Sequence, residues 1–104
     1  MISIGVDITN ISRFYNKSQN FIMRALSPSE ISELNKLSDN YQRAKFLARS
    51  WAIKEAIFKA DNTYINFSKI NLQKDPTTHL WKFKDFLISI SYADDYVIAF
   101  VQKN

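Results

Sequence analysis

Apolar and polar positions alternate at the start of the chain, where Ile2, Ile4 and Val6 are separated by Ser3 and Gly5. A period of two predicts a short strand over residues 2–6, ended by Asp7. Thr9 or Asn10 then offers a cap for a short helix reaching residue 16. Residues 21–26, FIMRAL, are apolar except for Arg24 and predict a helix or a tight connector. Ser27, Pro28 and Glu30 stand at the N-cap, N1 and N3 positions of a capping box. Ile31, Leu34 and Leu37 give that helix its apolar side until Ser38, Asp39 and Asn40 break the pattern.

Residues 43–60, RAKFLARSWAIKEAIFKA, lack Gly and Pro and are rich in helix formers, which predicts a long helix. Its large side chains do not form the single stripe expected of a helix lying on one layer. Phe46, Ile53 and Ile57 make one ridge, Leu47, Trp51 and Phe58 make a second, and Arg43, Ser50 and Lys54 form a polar seam between them. Two ridges predict packing on two sides, against the protein's own sheet and against another helix or subunit. The remaining face carries Ala44, Ala48 and Ala52, then Glu55 and Lys59 one turn apart. Small residues there are read as room for a ligand or another backbone to approach the carboxylate and ammonium.

After Asp61 and Asn62 the pattern turns to β. Phe67, Ile70 and Leu72 predict an irregular strand; residues 75–78 predict a turn and residues 80–83 a strand. Residues 86–92 alternate into the turn at Asp94 and Asp95. Residues 96–102, YVIAFVQ, are apolar on both faces and predict a strand that is central or covered by a partner. Strand, helices and then a meander give an α+β fold, an antiparallel sheet packed on one long helix, in a single domain over residues 1–104.

Composition narrows the chemistry. There is no cysteine, so disulfides, thiol nucleophiles and cysteine metal sites are excluded, and a reducing compartment is compatible. The first residues meet Asp7 without a basic region and do not read as a secretory signal. No apolar run is long enough to span a bilayer. The net charge of +4 resides wholly within the first 60 residues, which favours an acidic partner or a phosphate-rich ligand over a neutral one. A small basic nucleic-acid-binding module would also be basic and aromatic-rich, but here the aromatics sit in apolar patterns and no RNA- or DNA-binding motif occurs.

Three stretches together resemble the holo-acyl-carrier-protein synthase family, the small trimeric type of 4′-phosphopantetheinyl transferase. The segment GVDITNISR matches an opening pattern of Gly5 and Asp7 followed by Arg13. FLARSWAIKEAIFKA matches the family's signature helix at Phe46, Leu47, Ala48, Trp51, Ala52, Lys54, Glu55, Ala56, Lys59 and Ala60. ISISYADDYVIAFV is similar to its closing hairpin. The resemblance implies a cytoplasmic, Mg²⁺-dependent transferase serving fatty acid and lipid biosynthesis. It would move phosphopantetheine from coenzyme A to a serine of acyl carrier protein and release 3′,5′-ADP. It implies Asp7 and Glu55 as Mg²⁺ ligands, which suits a hard cation that takes few carboxylates and completes its shell with water and phosphate oxygens. Glu55 and Lys59 would be catalytic, and Lys54, Lys59, Arg49 and Ser91 would bind coenzyme A. Arg13 and Arg24 would meet the acidic carrier protein, and each site would lie between two subunits of a homotrimer.

Residues alone leave other roles open. Asp7 also suits a turn or cap, Glu55 and Lys59 suit an ordinary intrahelical pair, and Lys54 in the polar seam suits a structural or interface role. The chain also departs from the family. Ser50 stands where many members have Arg, with Arg49 one residue earlier, and Tyr92 and Ala93 replace a His-Thr pair beside the coenzyme 3′-phosphate. Residues 61–64 replace a glycine-rich segment, and His79, the sole histidine, reads as a solvated turn residue. These departures predict that the 3′-phosphate is bound weakly or through Arg49 or Lys45. They also motivate a second reading, a catalytically impaired member that only binds carrier protein.

Overall fold

The computed structural model describes residues 2–104. The order of elements is β1 (Ser3–Asn10), a 3-10 turn (Ile11–Phe14), α1 (Gln19–Ala25), α2 (Pro28–Asn35), α3 (Asn40–Ala60), a second 3-10 turn (Phe67–Lys69), β2 (Gln73–Lys74), β3 (Trp81–Phe83), β4 (Phe86–Ala93) and β5 (Tyr96–Lys103). The strands form one antiparallel sheet in the order β1-β5-β4-β3-β2. With α3 laid across β1 and β5, this is the expected α+β fold.

Strand β1 does not stop at Asp7. Its ladder with β5 continues from Ser3 opposite Lys103 to Asn10 opposite Tyr96, so Asp7 lies inside a paired strand, opposite Ala99. Pairing with a long central strand overrides the local turn signal of an acid. The expected helix over the next residues shrinks to a 3-10 turn with no side-chain cap from Asn10. The turn is held from outside: Ile11 donates its N–H to the Asp95 carbonyl at 2.7 Å, and the Ser12 hydroxyl donates to the Asp95 carboxylate at 2.6 Å. The Ser27–Glu30 capping box forms in full. Asp39 caps α3 by accepting from the Gln42 N–H at 2.8 Å, which starts the helix three residues before Arg43.

Helix α3 is the centre of the core. Its alanine face is not open to a ligand: Ala44, Ala48 and Ala52 are buried, as are Leu47, Ile53 and Ile57. Small side chains here serve close packing. A Cβ built on Gly5 would sit 1.9 Å from the Ala56 carbonyl oxygen, so β1 and α3 touch backbone to backbone at a position only glycine permits. The second ridge meets other parts of the same chain, for Trp51 packs against Phe14, Phe21 and Phe67 with ring centroids 5.3–6.2 Å apart. The polar seam goes inside too, with Ser50 and Lys54 both buried.

The irregular strand expected at Phe67, Ile70 and Leu72 is absent; Phe67 opens a 3-10 turn and pairing begins only at Gln73. The closing hairpin is as expected, with β5 central between β1 and β4. Its outer face stays uncovered in one chain: Ile4, Val6, Ile8, Ile98 and Phe100 are exposed side by side in the register of β1 and β5.

Candidate active site

Alternation along β1 turns Gly5, Asp7 and Thr9 toward α3 and Ile4, Val6 and Ile8 away from it. Asp7 thereby faces the last turns of α3, where Glu55 and Lys59 lie one turn apart. The Lys59 ammonium donates to the Asp7 carboxylate at 3.1 Å and to the Val6 carbonyl at 2.9 Å. This contact is not the intrahelical Glu55–Lys59 pair that the spacing alone allowed. The Asp7 side chain is 16% exposed and that of Lys59 is 51% exposed, so the cluster opens to solvent on the lysine side. The Glu55 carboxyl is pushed above its ordinary range, first by burial and then by the negative charge of Asp7, against the pull of Lys59. The carboxylates of Asp7 and Glu55, with the Lys59 ammonium alongside, form a donor set that suits a divalent cation. Among the described residues no third His, Cys, Asp or Glu joins them, so the remaining ligands of such an ion would come from water or a bound phosphate.

Arg13 belongs to the same neighbourhood. Its guanidinium donates to the Thr9 hydroxyl at 2.8 Å, and Thr9 lies on the Asp7 side of β1. Arg24 is on α1, at the edge of a cleft of about 450 Å³ lined by Phe21, Met23, Trp51, Ile65, Asn66, Phe67 and Ser68. Met23 and Ile65 are exposed apolar side chains there. The floor, Trp51, is one turn from Glu55 on α3.

The other expected coenzyme residues are dispersed. Lys54 is fully buried and its three N–H groups are occupied, by the Ala25 carbonyl at 2.8 Å, the Phe67 carbonyl at 2.9 Å and Glu30 at 2.6 Å. It leaves no surface for a ligand. Burial holds its pKa below the ordinary lysine value, against the opposing effect of Glu30. Ser91 faces away from α3, on the sheet face opposite Asp7, and cannot meet Glu55 within one chain. Arg49 points elsewhere again, its guanidinium stacked over Trp81 at 4.7 Å and Phe46 at 5.1 Å. Arg49 borders a cleft of about 400 Å³ shared with Lys45, Lys74, His79 and Tyr92, where the Lys45 ammonium lies 4.6 Å over the Tyr92 ring. His79 is exposed in a turn, with φ 63°, at the rim of that cleft.

The Glu30–Lys54 pair is the main feature that sequence reasoning missed. Glu30 was fully accounted for by its capping box, so nothing flagged its second partner. The signal was Lys54 itself, a lysine placed between two apolar ridges.

Comparison with known proteins agrees with this fold. Residues 3–101 match the family model of the 4′-phosphopantetheinyl transferase superfamily. A holo-[acyl-carrier-protein] synthase of Mycoplasma mobile is 51% identical over 100 residues, covering 96% of this chain and 87% of that protein. The crystal structure of the holo-[acyl-carrier-protein] synthase of Neisseria meningitidis superposes with a TM-score of 0.85 at 27% identity, covering 100% of this chain and 99% of that one. The corresponding enzyme of Helicobacter pylori, in complex with coenzyme A, gives a TM-score of 0.68 at 27% identity, covering 94% and 96%. With its match spanning nearly the whole sequence, Asp7 and Glu55 brought to one place and the fold in common, this chain belongs to the 4′-phosphopantetheinyl transferase superfamily.

Proposed function

We propose that this protein is a holo-acyl-carrier-protein synthase that transfers the 4′-phosphopantetheine group of coenzyme A to a serine of apo acyl carrier protein. The observation that carries the reading is the convergence of Asp7, Glu55 and Lys59 from a strand and a helix at a solvent-open edge. The coenzyme A held by the similar Helicobacter pylori enzyme supports the donor. In the reaction the serine Oγ forms a bond to the pantetheine-side phosphorus of the pyrophosphate. The bond from that phosphorus to the bridging oxygen breaks, and 3′,5′-ADP leaves.

Asp7 and Glu55 would hold Mg²⁺, which supplies charge neutralisation at the pyrophosphate. Lys59 offsets negative charge on the departing phosphate, and Glu55 takes up the serine proton. Arg24, at the edge of the apolar cleft over Trp51, and Arg13, held to Thr9 on β1, bind the acidic carrier, whose apolar side chains enter the cleft. The attacking hydroxyl belongs to the partner, so the chain needs no nucleophile of its own.

The working assembly in this reading is a homotrimer. A contiguous apolar patch of Ile4, Val6, Ile8, Ile98 and Phe100 is costly to leave in water. Covering it with neighbouring copies also brings Ser91, which is on that side of the sheet, toward another subunit's site. The cationic cleft of Lys45 and Arg49 takes the coenzyme's 3′-phosphate in place of the family's His-Thr pair. The work of such an enzyme is cytoplasmic and feeds fatty acid and lipid synthesis.

The test is to incubate the protein with apo carrier protein, coenzyme A and Mg²⁺ and to weigh the carrier by mass spectrometry. A phosphopantetheine mass gain abolished by EDTA supports the reading. No gain from a folded trimer that still binds carrier protein would mark a binding protein instead.

A further inference from the structure

The buried ammonium of Lys54 has a position that packing alone does not require. It donates to the Ala25 carbonyl, at the last residue of α1, and to the Phe67 carbonyl, in the 3-10 turn facing it. These are the two walls of the cleft that has Trp51 as its floor, with Phe21, Met23 and Arg24 on one side and Ile65 to Ser68 on the other. Both bonds end on the turn of α3 that carries Glu55. Glu30 completes the knot: one carboxylate oxygen accepts from Lys54 at 2.6 Å and from the Ser27 N–H at 2.8 Å, and the other accepts from the Leu72 N–H at 2.8 Å. Among the described residues no buried side-chain nitrogen or oxygen lacks a partner, so the network is closed.

A buried ion pair is weak evidence for stability, because desolvation cancels most of its attraction and an apolar replacement of similar size often does as well. What an apolar pair cannot supply is the set of directed bonds to Ala25, Phe67, Leu72 and Ser27. We infer that Lys54, with Glu30, is a positioning device that fixes both walls of the carrier-protein cleft at one distance from Glu55, so that a docked carrier presents its serine to the carboxylate. The inference rests on the proposed role of that cleft. It assigns Lys54, buried with its three N–H groups bonded inside the chain, to carrier specificity. Misplacing reacting groups by about 1 Å can cost on the order of 100-fold in rate, so a small drift of the walls is enough to register.

The test is steady-state kinetics of the full-length protein with the carrier protein and coenzyme A varied separately. The double variant Glu30→Leu/Lys54→Met replaces the pair by apolar side chains and leaves no buried charge. The expected result is a folded protein with kcat lowered by about tenfold or more and KM for carrier protein raised, while KM for coenzyme A is unchanged within about twofold. Equal KM values for carrier protein in the variant and the wild type would overturn the inference, as would an equal rise for both substrates, which a general loosening would give. Glu30→Gln/Lys54→Met is the second variant should the first not fold, and it is read by the same split. Met23→Glu, in the cleft but outside the network, separates the two layers of the argument. A raised carrier KM in Met23→Glu with no change in the double variant refutes the positioning role alone. No change in Met23→Glu refutes the cleft as docking site, and the positioning role with it.

Discussion

Replacing Gly5 with alanine should disable the enzyme by moving its two carboxylates apart. An added Cβ would lie 1.9 Å from the Ala56 carbonyl oxygen, 2.9 Å from the Ala56 carbonyl carbon and 3.0 Å from the Ala60 N. Ordinary contact begins near 3.4 Å, so strand and helix must separate by about 1.5 Å along that line. The obstructing atoms are backbone, so no rotamer change relieves the clash, and Ala56→Gly would not rescue it. Gly5 is two residues before Asp7, and Ala56 follows Glu55, so the separation is transmitted directly to the site. Overpacking of this kind costs about 1–3 kcal/mol of stability, and the displaced carboxylates should cost about 100-fold in turnover. Carrier mass gain measured at a temperature where circular dichroism reports a folded variant distinguishes the two effects. A Gly5→Ala protein with wild-type melting and wild-type turnover would refute the close approach of β1 and α3 on which the site depends.

Three other outcomes follow from particular contacts. Lys54→Met alone leaves Glu30 buried without its counter-ion and should cost about 3–5 kcal/mol in a denaturant melt, most of it recovered when Glu30→Leu is added. Asp61 titrates at about 2, chiefly because the Lys103 side chain and Thr63 hydrogen-bond its charged form. Its folded pKa is depressed, so its contribution to stability is present above the ordinary value of 3.8 and is lost as pH falls toward 2. Lys103→Met should raise the Asp61 pKa toward 3.8 in a carboxyl NMR titration and remove part of that acid-side loss. Phe100→Glu places a charge in the exposed apolar patch on β5, and sedimentation should find the proposed trimer dissociated while each chain keeps its fold.

The long helix, the capping box at Ser27 and the closing hairpin were legible in the sequence because each is specified by neighbours within a few residues. The pairing of Asp7 with Glu55 was legible only through the family pattern, since strand and helix periodicity do not say which residues meet. What stayed hidden was set by distant partners. The segment around Phe67 to Leu72 looks like a strand, but its backbone groups are taken by side chains: the Phe67 carbonyl by Lys54 and the Leu72 N–H by Glu30, 42 residues away. The alanine face of α3 had the composition to admit either a ligand or another backbone, and the structure fills it with close packing in the core. Likewise, the family motif includes Lys54 but does not say whether its ammonium faces a phosphate or two carbonyls.

The central claim, that Asp7 and Glu55 together create an Mg²⁺-dependent transferase site, is tested most directly by the Mg²⁺ dependence of carrier modification. The rate should be followed across an Mg²⁺ titration in the wild type and in Asp7→Asn, at saturating coenzyme A and carrier protein. Losing one of two carboxylate ligands should move the half-maximal Mg²⁺ concentration upward by about tenfold or more, since the ion is held by so few protein charges. A variant with wild-type rate at the same half-maximal concentration would contradict the account.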